Sequence, residues 1–246
     1  MFMDKFNIPK IIHYCWFGNK EKPSKVEKCI KSWEKHLSDY QIIEWNEQNF
    51  DVHKSLYVEQ AYNEKKFAFV SDVARLKVLQ QYGGIYMDTD VEVFKPFDDL
   101  LNNKCLLGFE EGNYVATSFM ACIPFHPLIE EFILEYKNES FLSNGILNMK
   151  TNVQRFAFIL QARGLVRNGE FQVLKDEIVV YPKDYFSPYD YINCIKDTTE
   201  NSYCIHHFHV SWMPRQIRAK KLLKRLIVTV IGRKSMNNIR EKLSAK

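Results

Sequence analysis

Two carboxylates, one residue apart, interrupt the most strand-like stretch of this chain. Residues 83–94 read GGIYMDTDVEVF. Ile85, Tyr86 and Met87 precede Asp88 and Asp90, and Val91, Val93 and Phe94 follow them. Strands disfavour aspartate, and a buried carboxylate without a partner is costly. The pair therefore marks a strand end or a site with its own chemistry. In an extended chain, residues i and i+2 point to the same face, which would set the two carboxylates side by side. Like charges that close repel, and at neutral pH they favour a shared proton or a bound cation. Oxygen ligands suit Mg²⁺ or Mn²⁺, and Mg²⁺ completes its coordination with waters and substrate phosphates. A diphosphate-bearing substrate is the natural companion. A bare D-x-D is also met as two solvated aspartates in a turn. Here, however, it follows a helix pattern, a double glycine and an apolar strand in strict order.

The periodicities around it alternate between strand and helix. IPKIIHYCWFG begins with Pro9 and reads as a strand. Pro23 and Ser24 then precede Val26, Ile30, Trp33 and Leu37 at helical spacing. YQIIEWN reads as a short strand, and the region from Leu56 to Tyr82 reads as helix in two pieces, closed by Gly83-Gly84. CLLGFE and TSFMACIP predict strands, HPLIEEFILEYKN and NVQRFAFILQARG predict helices, and EIVVYP and YCIHHFHVSW predict late strands. This order predicts an α/β fold with a mainly parallel central sheet flanked by helices. In such sheets ligands bind at the carboxyl ends of the strands, where Asp88 and Asp90 are expected.

Composition narrows the class further. At 246 residues the chain fits one large domain or two small ones. Its six cysteines are scattered, with no C-x-x-C spacing. Free thiols in a reducing cytosol are the expectation, and no zinc site is supported. MFMDKFNIPK lacks the apolar core of a secretory signal. No uncharged apolar run reaches the roughly 18 residues that would span a bilayer. The net charge of +4 hides an asymmetry: residues 215–246 hold 11 Lys or Arg and one acidic residue, Glu241, whereas residues 1–214 carry a net −6. The expected division is a domain over 1–214 and a basic segment over 215–246. The segment mixes its charges with Leu222, Leu223, Leu226, Ile227, Val230 and Ile231. It reads as a basic amphipathic helix suited to an anionic membrane surface, or as a helix packed on the domain with a solvated basic face. No nucleic-acid-binding module accompanies the charge.

The block SDVARLKVLQQYGGIYMDTDVEVFKP resembles the sugar-binding region with a DXD motif of glycosyltransferase family 32. This group includes fungal mannosyltransferases and bacterial capsular polysaccharide glycosyltransferases. IPKIIHYCWFG and CIHHFHVSW resemble the family's early and late blocks. The resemblance implies a GT-A fold and retaining transfer of a sugar from a nucleotide donor, with a UDP-sugar favoured, to a glycan or lipid-linked glycan. Family context favours surface polysaccharide synthesis, in the cytoplasm or peripherally on the inner face of the membrane.

The resemblance also implies roles for particular residues. Asp90 would coordinate Mn²⁺ or Mg²⁺ on the donor diphosphate, and Asp88 would contact the ribose or sugar and reach the metal through water. Asp72 and Arg75, at i and i+3 on one helix face, would contact the donor sugar and diphosphate; without the motif they read as a surface ion pair. Tyr86 would line the donor pocket, with core packing as the other reading. Trp16 would stack on the base, or pack in the core. His13 matches the early block, although a lone histidine on an apolar strand is more often a core residue. In the late block, His206 is the first candidate metal ligand and His207 the second, on opposite faces by strand alternation. Ser211 and Trp212 would close over the diphosphate, and His209 is the least supported. Many relatives carry a Gly-Pro turn before the mid-chain helix; here LNMKTNVQRF stands in its place, with Asn152 as a candidate sugar contact. Two other readings are a non-catalytic sugar-nucleotide binder and a D-x-D phosphohydrolase, whose motif usually lies nearer the N-terminus.

Overall fold

The computed structural model describes residues 7–190, 193, 195–208 and Gly232. His209, Ser211, Trp212 and nearly all of the basic segment 215–246 lie outside the described residues. The elements run β1 (Ile11–Cys15), α1 (Ser24–His36), β2 (Gln41–Trp45), α2 (Leu56–Asn63), α3 (Phe67–Tyr82), β3 (Gly84–Met87), β4 (Val91–Val93), β5 (Cys105–Gly108), β6 (Phe119–Cys122) and α4 (Pro127–Leu134). They continue with β7 (Leu142–Ser143), β8 (Ile146–Leu147), α5 (Asn152–Ala162), β9 (Gln172–Leu174), β10 (Ile178–Tyr181), α6 (Lys183–Phe186), β11 (Tyr189–Asp190), β12 (Ile195–Lys196) and β13 (Cys204–His206). The helical region after Leu56 breaks in two at Lys65, whose φ is +55°.

Seven strands form the central sheet in the order β2-β1-β3-β6-β5-β10-β9. β1 pairs in parallel with β2 and β3, and β5 with β10, whereas β6 runs antiparallel between β3 and β5, and β9 antiparallel at the edge. Five of the seven strands thus share one direction, which is the mainly parallel sheet expected. The insertion of β6 makes two of the six pairings antiparallel, and edge strand β9 adds a third. That insertion also brings the chain entering β6 to the edge where β1, β2, β3 and β5 end.

Period-two alternation splits the core into two layers. Ile12, Tyr14, Ile85, Met87, Leu106 and Phe119 face one layer, with Trp33 and Leu37 from around α1 and Val91 and Val93 of β4. Cys15, Tyr86, Leu107 and Met120 face the other, under α2, α3, α4 and α5. Both faces being covered explains why the strands read as near-continuous apolar runs.

The junction between α3 and β3 needs its two glycines. Gly83 has φ +62°, and a Cβ there would lie 2.6 Å from Pro124 Cδ and 2.8 Å from the Cys122 carbonyl. Gly84 has φ +88°, and its Cβ would lie 2.6 Å from the Ile11 carbonyl. The chain turns from helix to buried strand in a space that admits no side chain.

Candidate active site

The strand-like stretch of residues 83–94 is two strands, with the carboxylates just past the end of the first, as expected. β3 stops at Met87, and a turn closed by Val91 N–H donating to the Asp88 carbonyl (3.0 Å) leads into β4. Asp88 and Asp90 occupy that turn, so they meet across a bend rather than along an extended chain. The turn leaves them at the carboxyl end of β3, on the edge where β1 gives way to Trp16 and β5 to Glu110. The Asp88 N–H donates to the Ser118 carbonyl at 2.9 Å, which ties the turn to the segment entering β6.

Arg75 organises the wall behind the turn. Its side chain is 5% exposed. Nη2 lies 2.9 Å from Asp72 Oδ1 and 3.3 Å from Asp88 Oδ1. Nη1 donates to the Thr117 carbonyl and Nε to the Ser71 carbonyl. The guanidinium sits 4.6 Å from the Tyr86 ring centroid, and the Tyr86 hydroxyl donates to Asp88 Oδ1 at 3.0 Å. Asp72 and Arg75 are therefore not a surface pair. They form a nearly buried link between α3, the carboxylate turn and the entry to β6. Such a pair stabilises only when every partner is present.

The second wall comes from far along the chain. β13 pairs antiparallel with β4, setting His206 opposite Val91. His206 Nε2 then lies 3.2 Å from Asp90 Oδ1. Asp88, Asp90 and His206 each offer a ligand atom within 4.8 Å of the other two, the only such trio of His, Cys, Asp or Glu among the described residues. His206 Nδ1 is buried without a hydrogen-bond partner. Two crowded carboxylates and an imidazole with an unfilled buried nitrogen fit a divalent cation such as Mn²⁺, which takes oxygen and nitrogen ligands together.

The charges confirm the pull on a cation. Burial alone would push the His206 imidazolium down, but Asp90, Asp88 and Glu110 together carry its pKa up to about 9. Burial pushes Asp72 up to about 6, against the pull of Arg75. Glu110 is pushed up to about 7 by burial, with His206 opposing and Asp88 adding to the rise. Glu110 is not among the residues singled out from the sequence. The signal for it was there: FEEG follows directly on an apolar strand, so its first carboxylate lies just past a strand end.

The other sequence candidates are distributed as follows. Tyr86 is buried and joins the site through its hydroxyl. Trp16 is half-buried just beyond β1, its N–H donating to the Trp45 carbonyl and its indole to the Lys20 carbonyl. His207 does not reach the trio through its ring: Nε2 lies 2.9 Å from Glu92 Oε2, which also binds Lys196. Its backbone N–H donates to the Asp90 carbonyl. His13 lies apart, with Trp45 Nε1 donating to its Nδ1 and its Nε2 on the Gly83 carbonyl. Asn152 is buried at the start of α5, with Nδ2 donating to the Asp72 carbonyl and Oδ1 accepting from the Tyr136 hydroxyl.

Residues 23–107, which run from the start of α1 through both aspartates to β5, match the family described as "Glycosyltransferase sugar-binding region containing DXD motif". Over that stretch, about a third of its length, the chain is similar to this family. His206, Glu110 and Asn152 lie beyond the matched residues. Inositol phosphoceramide mannosyltransferase 1 of Schizosaccharomyces pombe is 28% identical over 138 residues, covering 51% of this chain and 42% of that protein. The chain thus spans less than half the length of that relative. The glycosyltransferase L373 of Acanthamoeba polyphaga mimivirus is 26% identical over 227 residues, covering 84% of each chain. Among solved structures, a glycosyltransferase involved in glycosylation of the major capsid of PBCV-1 superposes with a TM-score of 0.49 and 15% identity, over 86% of this chain and 98% of that one. Among the described residues, no helix is long and apolar enough to cross a membrane.

Proposed function

We propose that this protein is a metal-dependent, retaining glycosyltransferase of the GT-A type, moving a sugar from a nucleoside-diphosphate donor to a glycan or lipid-linked glycan. The observation that carries this reading is the trio Asp88, Asp90 and His206 at the carboxyl end of β3. These residues would hold the divalent cation, and that ion would supply charge stabilisation for the departing nucleoside diphosphate. Arg75, fixed from four sides, presents a cation beside the same turn. Tyr86 and Asp72 frame the donor's sugar, and Trp16 offers a ring to the base beyond β1. The acceptor hydroxyl attacks the anomeric carbon from the face the leaving group departs, which retains configuration. A UDP-sugar is the favoured donor, and surface polysaccharide the favoured product. The lipid in the name of the fission-yeast relative supports an acceptor carried on a lipid. The basic residues of 215–246 suit docking at an anionic membrane surface.

The test is a thermal-shift panel of the full chain with UDP, GDP, CMP and their sugar conjugates, with and without Mn²⁺. A ligand that binds the folded state raises the melting temperature by mass action. A rise with one diphosphate that needs Mn²⁺ and is lost in Asp90→Ala is the expected result. Binding without sugar transfer or donor hydrolysis would make the protein a sugar-nucleotide binder. No rise with any ligand would sink the donor reading.

A further inference from the structure

Behind the Asp72–Arg75 pair lies a second layer of polar groups, on α5 and just beyond α4, of which only Asn152 has so far been given a role. Asn152 opens α5 under the Thr151–Gln154 capping box. Its side chain spends both ends on protein: the amide donates to the Asp72 backbone carbonyl at 3.0 Å, and the carbonyl accepts from Tyr136. One turn on, Arg155 has a side chain with 0% exposure. Its guanidinium lies 4.7 Å from the Tyr136 ring centroid and 5.9 Å from that of Tyr57. Glu139, 37% exposed, faces it with both oxygens: Nη2 donates to Oε2 at 3.4 Å, and Nη1 lies 3.4 Å from Oε1. Arg155 Nε and Nη1, and the Tyr57 hydroxyl beside them, make no hydrogen bond.

A buried guanidinium whose only carboxylate partner among the described residues is at the long end of hydrogen-bond range and partly exposed is costly, and an apolar residue of similar volume would often serve stability as well. Its placement also ties it to the candidate site. Arg155 stacks on Tyr136, Tyr136 fixes Asn152, and Asn152 fixes the turn of α3 that carries Asp72. Its charge also opposes that of Asp72, whose carboxyl burial drives up while Arg75 and Arg155 draw it down.

We propose that Arg155 is a positioning residue for the donor's sugar, acting through Tyr136 and Asn152 to hold the Asp72 carboxylate in register with Arg75. The inference rests on the reading of Asp72 as a contact to that sugar. It also gives the stretch LNMKTNVQRF a role.

The test compares Arg155→Met, Arg155→Lys and Tyr136→Phe with the unchanged protein. Each is titrated calorimetrically in Mn²⁺ with UDP and GDP, then with UDP-glucose, UDP-galactose, UDP-N-acetylglucosamine and GDP-mannose. The diphosphate Kd should change by less than about twofold, since those contacts are remote from α5. The Kd of the matching nucleotide sugar should rise about tenfold in Arg155→Met, with kcat falling as much as about a hundredfold. Arg155→Lys should recover part of both losses. Tyr136→Phe, which removes one hydroxyl, should show the same selective loss and serves where Arg155→Met does not fold. Equal weakening of diphosphate and nucleotide sugar, or a lower melting temperature with sugar binding intact, would make Arg155 merely structural and overturn the proposal. If the unchanged protein binds a diphosphate and gains nothing from its sugar, the positioning role falls while the metal and diphosphate reading stands. If it binds none of these ligands, both fall.

Discussion

β3 has a histidine near each end, His13 fully buried and His206 14% exposed, and the two sit in opposite surroundings. Near its start, the His13 ring accepts from Trp45, donates to the Gly83 carbonyl, and has no carboxylate partner. Burial pushes its pKa down to about 4, the backbone bond opposing only in part. Near its end, His206 meets Asp90, with Asp88 and Glu110 close by, and is carried up to about 9 despite its burial. Burial holds the first histidine toward its neutral form, with both ring nitrogens hydrogen-bonded. Carboxylates draw the second toward its charged form, and its Nδ1 is buried without a hydrogen-bond partner. Burial alone does not mark a functional histidine; the charge of its neighbours and the completeness of its hydrogen bonds do.

That contrast can be broken from either side. The largest effect should come from Asp90→Ala, which removes the carboxylate nearest His206. Sugar transfer, assayed with the donor found in the binding panel, should fall by about a thousandfold, the scale of losing one electrostatic contact to a developing charge. Loss of less than tenfold would dissociate the turn from catalysis. Next comes His13→Ala, which leaves Trp45 Nε1 and the Gly83 carbonyl buried without partners. It should cost about 2–3 kcal/mol, read as a melting temperature lower by roughly 5–10 °C. Mn²⁺ affinity should hold, and an equal loss there would show that the two ends of β3 are coupled.

The pH dependence of metal-free stability sharpens the same comparison. His206 has a folded pKa above its unfolded value of about 6.5. Its contribution is therefore complete below about pH 6.5 and is lost as pH rises through about 9. His13 has a folded pKa below its unfolded value, so its contribution is complete above about pH 6.5 and is lost as pH falls through about 4. Denaturant melts in EDTA should show His206→Asn flattening the alkaline limb and His13→Asn the acid limb. The smallest effect is expected from Glu110→Gln. It should weaken Mn²⁺ binding a few-fold by calorimetry with no change in melting temperature, because this carboxylate adds charge to the trio without closing it.

The local rules reached far. Short apolar runs announced the strands of the central sheet except β9, 3.6-residue periodicity announced the main helices, and the glycine pair announced the sharp entry to β3. Each depends on neighbours within a few positions. The long-range pairings were less legible. Residues 83–94 placed the two carboxylates at a strand end but concealed the separate strand β4 beyond them, because apolar residues after a bend look like apolar residues within one strand. Asp72 and Arg75 have the spacing of a surface pair, and only the packing of Thr117, Tyr86 and Asp88 around them makes the pair nearly buried.

By itself, then, the sequence determined an α/β chain with two carboxylates at a strand end and an arginine and an aspartate on one helix face nearby. The tertiary structure alone decided which distant side chains complete that end. Strand register sets His206 beside Asp90 and His207 beside Glu92, and a shift of one residue would exchange them. Docking of α5 on α3 decided that Asn152 is consumed by Asp72 and Tyr136 and that Arg155 is buried beneath them. Insertion of β6 decided that Thr117 and Ser118 hold Arg75 and Asp88. Alternation and helical period are properties of a short segment, whereas register, burial and hydrogen-bond partners belong to pairs of segments a hundred residues apart.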